Sequence, residues 1–340
     1  MSRVDTPVEY LLSDVEREQL QEAALRHRDS GDGPGHPGFY DSDWSKVDDL
    51  PPGLRRFLEG FRRNEPAAAC LIHGFPLDDG QIGPTPGHWE AAATAKNTRD
   101  QEIVLALCGM ALGEPFTWET LQAGNMIQNV LPIAGDELRQ SGHGSETVLE
   151  FHTEDGFHPR RCDYLLLFGV RNDDAVPTLL ASVRDLELDP ETARVLAERR
   201  FHILPDDEHI RQLEARDATH PALAGMRAMR DRPEPQAVLF GHEVNPYLRI
   251  DRPFMRCVGD DPLAERALDA LMAELERVQQ QIAVGAGSLL VIDNHLAVHG
   301  RRPFRARYDG RDRWLKKVTV SRDLRRRMVD CRVGSHRVVM

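Results

Sequence analysis

The run "LEFHTEDGFHPRR", Leu149 to Arg161, gathers His152, Glu154, Asp155 and His158 among apolar neighbours. Read as a strand, it alternates its side chains, so His152 and Glu154 share one face while Asp155 points the other way. An imidazole and a carboxylate two residues apart can then reach one cation, and the alternation selects Glu154 over Asp155. A third ligand must come from elsewhere. The best candidate is His299 in "VIDNHLAVHGRRPF", which follows the apolar strand "SLLVID" and a turn. His295 is its rival, but it sits at the turn itself, beside Asp293 and Asn294. Two histidines and one carboxylate with open positions form the facial triad of non-haem Fe(II) oxygenases.

An H-x-E pair arises often by chance, so the region after His299 carries much of the weight. It reads "RRPFRARYDGRDRWLKKVTV". The turn "YDGRD" leads into a strand on which Arg313, Leu315, Lys317 and Thr319 share a face. Two cations on that face either meet solvent or, if buried, need anions. A dicarboxylate cosubstrate and an amino-acid carboxylate would supply them, and the planar fork of Arg suits a carboxylate.

The elements that must position these groups follow from pattern and punctuation. Ser13 and Glu16 make a capping box at the start of "SDVEREQLQEAALRHR", and "DSGDGPGHPGFYDSD" reads as a loop. "AAACLIHGFPLDD" predicts a strand and turn; "TRDQEIVLALCGMALG" predicts a buried helix capped by Thr98 and Gln101 and stopped by Gly113. From Leu121 to Val183 short strands dominate: "NMIQNVLPI", "VLEFHTE" and "DYLLLFGVRN". A helix is expected at "DPETARVLAERRF". Residues 205–235 are charged and proline-rich, either a mobile lid over a site or a surface insertion. Strands return at "QAVLFGHE" and "NPYLRIDR". A long helix, "DPLAERALDALMAELERVQQQIA", opens at Asp260 or Asp261, with Leu268, Leu271, Met272, Leu275, Val278 and Ile282 at helical spacing. The last strands are "GSLLVIDNHLAVHG" and "RWLKKVTVSRD". The pattern predicts a mainly β fold with flanking helices, a sandwich or barrel.

Composition narrows the function classes. The 340 residues and 41% hydrophobic content allow a sizeable core. A formal charge of −12 argues against a general nucleic-acid role, since phosphate binding needs a basic stripe. The basic run Arg322 to Arg327 reads as a solvated segment. Five scattered cysteines without a CxxC pair suit reduced thiols in a cytoplasmic protein. The start "MSRVDTPVEYLLSD" lacks the pattern of a signal peptide, and no apolar run suggests a membrane span.

The blocks "LEFHTEDGFHPRRCDYLLLFGVRN" and "VIDNHLAVHGRRPFRARYDGRDRWLKKV" resemble the clavaminate-synthase-like Fe(II)/2-oxoglutarate oxygenases, and within them the hydroxylases of free L-amino acids. "TWETLQAGNMIQNVLP" and "NPYLRIDRPFM" occur in the expected order, so the resemblance spans about 76–322. It implies one oxygenase domain over 1–340: a helical and loop part over 1–75, then a double-stranded β-helix, or jelly roll, over 76–322, with a possible lid at 205–235 and an inserted helix at 260–283. It implies that His152, Glu154 and His299 ligate Fe(II), and that Arg313 and Thr178 bind 2-oxoglutarate. It further implies that Gln122 and Glu154 hold the substrate amino group, Lys317 its carboxylate and Asp251 its side-chain charge. O2 would be the oxidant.

Two departures bear on the substrate. Arginine hydroxylases of this group carry an arginine where this chain has Lys317, and an Asp-x-Asp pair where it has Asp251 followed by Pro253. One carboxylate suits a point-like ammonium better than a planar guanidinium. The expectation is therefore hydroxylation at C3 or C4 of free L-lysine, with arginine, citrulline and asparagine as alternatives, in a setting such as antibiotic biosynthesis. The retained Glu154 predicts hydroxylation rather than halogenation. Asp251 has a plainer reading as a surface ion pair with Arg249 or Arg252. Two rival classes are a zinc deaminase, which needs a PCxxC that is absent, and a non-catalytic metal-binding jelly roll. The partner is a small molecule, with a homo-oligomer possible.

Overall fold

The structure, a computed structural model, describes residues 4–340 except 30, 328–330 and 332–334, with the backbone alone at 326 and 327. Helix Asp14–Arg28 opens on the expected capping box, with Ser13 and Glu16 bonded reciprocally. Helix Arg99–Leu112 stops at Gly113, but Thr98 makes no cap. Its hydroxyl donates instead to Glu102 Oε1 at 3.3 Å, and Gln101 donates to the Pro76 carbonyl. The Thr98 hydroxyl thus donates to a buried carboxylate on the helix and accepts from no first-turn N–H. The glycine-rich loop holds a short helix, Gly38–Asp41. The late helix runs Pro262–Val278 from an Asp261 cap; Gln280–Ile282 then forms a strand, so Ile282 is buried from a sheet and not from the helix.

Two sheets face each other. The larger runs in the order Val8–Leu11, Ala69–His73, Ser288–Asp293, Tyr164–Arg171, Trp314–Ser321, Glu114–Trp118 and Val338–Val339, with Gln128–Val130 also paired to Trp314–Ser321. The smaller runs Gln280–Ile282, Thr178–Ser182, Ala297–Arg301 and Leu149–His152. Alternation sorts the side chains. Tyr164, Leu166, Phe168 and Val170 pack outward with Trp314, Val318 and Val320 against the helices. Leu165, Leu167 and Leu315 face inward, in the cluster that also holds Leu180, the partner of His299 in the smaller sheet. The inward side of Trp314–Ser321 also carries Lys317, which is why that strand can serve both core and site.

Lys316 points the other way and is fully buried. Its Nζ donates to Glu102 Oε1 at 2.7 Å and to Asn129 Oδ1 at 3.0 Å. Breaking a buried pair from one side leaves an uncompensated charge. Lys316→Met is therefore expected to lower unfolding free energy by ~3–5 kcal/mol, read by urea denaturation; a loss below about 1 kcal/mol would show the site to be hydrated.

Residues 205–235 form helices Asp207–Arg216 and Pro221–Asp231. Ile210, Leu213, Leu223 and Met226 pack on Phe116, Trp118 and Phe157, so the segment is seated on the body of the protein. Arg322 of the basic run bonds Asp163 and Glu65; the side chains at 326 and 327 lie outside the described residues. Among the described residues no helix is long and apolar enough to cross a membrane.

Candidate metal centre and substrate cavity

His299 and His152 stand directly opposite each other on neighbouring antiparallel strands. Their ring centroids are 4.2 Å apart. The strand carrying His152 ends there, at Leu149–His152, so Glu154 lies beyond it in a turn and not in the strand. Extended backbone continues only through Thr153, whose N–H donates to the Ile250 carbonyl at 2.8 Å. The Asn294 side chain then takes over: its Oδ1 accepts from Glu154 N–H at 2.7 Å and its Nδ2 donates to the Glu154 carbonyl at 3.0 Å. Asp155 follows with φ 53 and turns the chain away. An Asn amide thus substitutes for a neighbouring strand and keeps Glu154 on the side of His152.

The result is a tight cluster. His299 Nε2 lies 3.4 Å from Glu154 Oε2. One ligand atom each from His152, Glu154 and His299 falls within 4.8 Å of the others. His152 Nδ1 is 2.8 Å from the Glu150 carbonyl and donates to it, which leaves Nε2 with its lone pair free. Burial, with His299 beside it, pushes the His152 imidazole down to about 3, so it is neutral near neutral pH. Burial alone would raise the Glu154 carboxyl, but Lys317 foremost and the two imidazoles outweigh it and hold it well below the usual carboxylate range. A neutral imidazole such as His152 and an ionised carboxylate are forms that bind a metal. The donor set fits a ferrous ion with positions left open.

His295 takes no part. Its ring lies 3.2 Å from Asp163 and from an Arg161 nitrogen, beside Phe240 and Tyr247.

Cations flank the cluster. Arg313 is 8% exposed, so it does not face solvent, and its guanidinium donates to Thr178 Oγ1 at 3.2 Å. Burial and the nearby Arg301 push it down to about 9. Arg301, opposite Thr178 in the sheet, spends its N–H groups on the carbonyls of Gly144, Thr147 and Arg302. Two buried guanidiniums without a carboxylate partner among the described residues leave this end of the cavity suited to an anion. Lys317 lies four residues along the same strand face, its Nζ 2.6 Å from Glu154 Oε1. Burial would lower its ammonium, but Glu154 and Asp155 raise it, so it stays charged.

Gln122 lines the same cavity from a left-handed turn, φ 43, followed by Ala123 at φ 58. Its Nε2 donates to the Asn129 carbonyl and its Oε1 accepts from the Asn129 N–H, both at 2.8 Å. One amide proton and one lone pair remain for a ligand. Asp251 is 5% exposed, its backbone in a bridge with His152, so it is no surface ion pair. Arg249 turns away to the Gly156 and Phe157 carbonyls.

Among the cavity residues not singled out in the sequence are three charged ones, Arg301, Asp206 and Glu208. Arg301 follows the His299-Gly300 pair directly and shares the His299 face of the strand. Asp206 and Glu208 come from the start of helix Asp207–Arg216, where Asp206 is the N-cap. An Asp before a charged helix reads as a cap and gives no sign of a cavity; only the seating of that helix brings it in.

Residues 122–319 match the family described as Taurine catabolism dioxygenase TauD, TfdA family. An enduracididine beta-hydroxylase of Streptomyces hygroscopicus is 39% identical over 288 residues, covering 82% of this chain and 84% of its own. An L-ornithine/L-arginine 3-hydroxylase of Catenulispora acidiphila is 39% identical over 287 residues, covering 81% and 83%. A crystal structure of the non-heme iron oxygenase OrfP with Fe, succinate and (3S)-hydroxy-L-Arg superposes with a TM-score of 0.91 at 37% identity, covering 98% of this chain and 100% of that one. Lysine hydroxylases are also related, at 26–30% identity. The facing sheets are those of a double-stranded β-helix, and with the His-Glu-His cluster lining its cavity the chain belongs to the TauD/TfdA dioxygenase family, among its iron- and 2-oxoglutarate-dependent amino acid hydroxylases.

Proposed function

We propose that the protein hydroxylates a free L-amino acid whose side chain ends in a guanidinium, with L-arginine as substrate and C3 as the carbon oxidised. The observation that carries this reading is a pair of carboxyls lining the cavity, Asp251 and Asp206, neither with a cationic partner among the described residues. Burial first, then Asp206 and Glu154, hold Asp251 well above the usual carboxylate range. Burial also pushes Asp206 up to about 7. A buried carboxyl in that condition gains most from an incoming cation. Pro253 removes the second acid of an Asp-x-Asp pair, which had favoured lysine, but Asp206 offers a second acid from a different element. Two acceptors suit a guanidinium fork better than an ammonium. The 39% identity to hydroxylases named for enduracididine and for ornithine and arginine favours the same choice and the C3 position.

The remaining groups are assigned by charge and reach. His152, Glu154 and His299 would hold the ferrous ion, and Arg313 with Thr178 the distal carboxylate of 2-oxoglutarate. Iron and cosubstrate, when bound, supply the O2-dependent oxidation that converts 2-oxoglutarate to succinate and hydroxylates the substrate carbon. The chain supplies placement. Lys317 meets the substrate carboxylate. The free lone pair of Gln122 Oε1, with Glu154, accepts from the substrate ammonium. Asp251 and Asp206 draw the side chain to the far end, so that C3 rests near the metal. The seated 205–235 helices limit water.

The test is incubation of the protein with Fe(II), 2-oxoglutarate and each free L-amino acid, with mass spectrometry for addition of one oxygen. Arginine should exceed lysine and citrulline by about tenfold or more in kcat/KM, the equivalent of roughly 1.4 kcal/mol or more. Asp251→Asn should erase most of the arginine-over-citrulline preference. Faster turnover of lysine than arginine would overturn the choice of guanidinium.

A further inference from the structure

The outward face of Trp314–Ser321 holds a polar group the proposed reaction does not use. Lys316 and Asn129 are direct partners across the sheet. Asn129 Oδ1 receives two donors, Lys316 Nζ and Trp314 Nε1, each at 3.0 Å. Lys316 is paired in turn with Glu102 on helix Arg99–Leu112 at 2.7 Å, and Glu102 accepts from Thr98. Lys316, Asn129 and Trp314 are all fully buried. A hydrophobic layer of similar volume would stabilise such a position as well or better, so a role in fixing geometry is the better account of a buried ion pair here.

What it fixes is visible on the other side of Asn129. The backbone N–H and carbonyl of Asn129 point away from Trp314–Ser321, and both are taken by the Gln122 amide at 2.8 Å. A carbonyl demands the Nε2 end of the amide and an N–H demands the Oε1 end, so Asn129 sets which end lies where. Gln122 itself sits on two successive left-handed residues, a conformation that a non-glycine chain holds only when its surroundings fix it. Its backbone N–H is tied separately, to Gln212 Oε1 at 2.8 Å.

We propose that Glu102, Lys316, Trp314 and Asn129 are positioning residues for the substrate amino group, acting from behind the sheet. They pin the Asn129 side chain, its backbone then orients the Gln122 amide, and the free lone pair of Gln122 Oε1 is thereby aimed into the cavity. This rests on the assignment of Gln122 to the substrate ammonium.

Two variants and one control test it. Trp314→Phe keeps an aromatic six-membered ring and removes the indole N–H together with the pyrrole half of the buried bicycle. Lys316→Met with Glu102→Leu removes both charges together and leaves none unpaired. In each, KM for the amino acid should rise, about threefold for Trp314→Phe and about tenfold for the double variant. KM for 2-oxoglutarate should stay within twofold, because Arg313, although next to Trp314 in the chain, turns into the cavity toward Thr178 of the smaller sheet while Trp314 packs outward. More 2-oxoglutarate should be consumed per hydroxylated product, as loosely held substrate fails to meet the oxidant. A purely structural role would change the melting temperature and leave the amino-acid KM alone. If the double variant does not fold, Trp314→Phe decides the matter by itself. Gln122→Ala separates the two ideas. Wild-type KM in Gln122→Ala would sink the assignment of Gln122; a raised KM there, with wild-type KM in folded Trp314→Phe, would sink the positioning role alone.

Discussion

Glu154→Ala should lose hydroxylation by roughly a thousandfold or more, since a direct ligand must matter beyond the ten- to hundredfold typical of groups that only orient ligands. Three separate functions fail together. The cluster loses its only carboxylate donor, leaving two imidazoles. The partner of Lys317 Nζ disappears, so the ammonium expected to meet the substrate carboxylate is no longer held at 2.6 Å from a fixed anion. The substrate ammonium would also lose one of the two acceptors proposed for it. The fold should survive, because the turn is held through the Glu154 backbone by Asn294, which alanine keeps. Far-UV circular dichroism alongside a succinate assay separates the two effects. Succinate production at the wild-type rate in the alanine variant would remove Glu154 from the metal site.

Arg313→Met is the second large effect, and its signature differs. The guanidinium is buried, and Thr178 is its one hydrogen-bonding partner among the described residues. A bound dicarboxylate would meet it in a water-poor end of the cavity, where losing one side of a charged pair costs about 2–5 kcal/mol. KM for 2-oxoglutarate should rise by about a hundredfold, equivalent to roughly 2.7 kcal/mol. KM for the amino acid, measured at saturating cosubstrate, should change little. Methionine removes a buried cation beside Arg301, so stability should hold or improve. Equal losses in both KM values would mean that Arg313 supports the cavity as a whole and has no particular cosubstrate end.

The sequence made some of this legible and hid the rest for physical reasons. Strand alternation placed Arg313, Leu315 and Lys317 on one face, and all three line the cavity, because a period of two is a property of the backbone. The same rule pointed to Glu154 through a strand that stops short of it; the face is kept by Asn294, about 140 residues further along the chain. The register that sets His299 against His152 depends on a long-range pairing that local pattern does not encode. Taken alone, Lys317 and Arg313 read better as solvent-facing, since charge says nothing about which side of a sheet is covered. Asp206 was hidden because its capping role is complete within the helix, and Lys316 because its partners Glu102 and Asn129 come from a distant helix and strand. What sequence carried best was residue type at fixed spacing; what it carried least was the company each charge keeps.

The most direct test is anaerobic metal binding, with iron per chain determined after gel filtration for the wild type and for His152→Ala, Glu154→Ala and His299→Ala, each checked for folding. One ferrous ion bound by the wild type and lost or greatly weakened in all three variants is the result expected. Wild-type iron content in any folded member of the three, or undiminished iron in all with loss only in a His295→Ala control, would contradict the assignment of the metal to these residues.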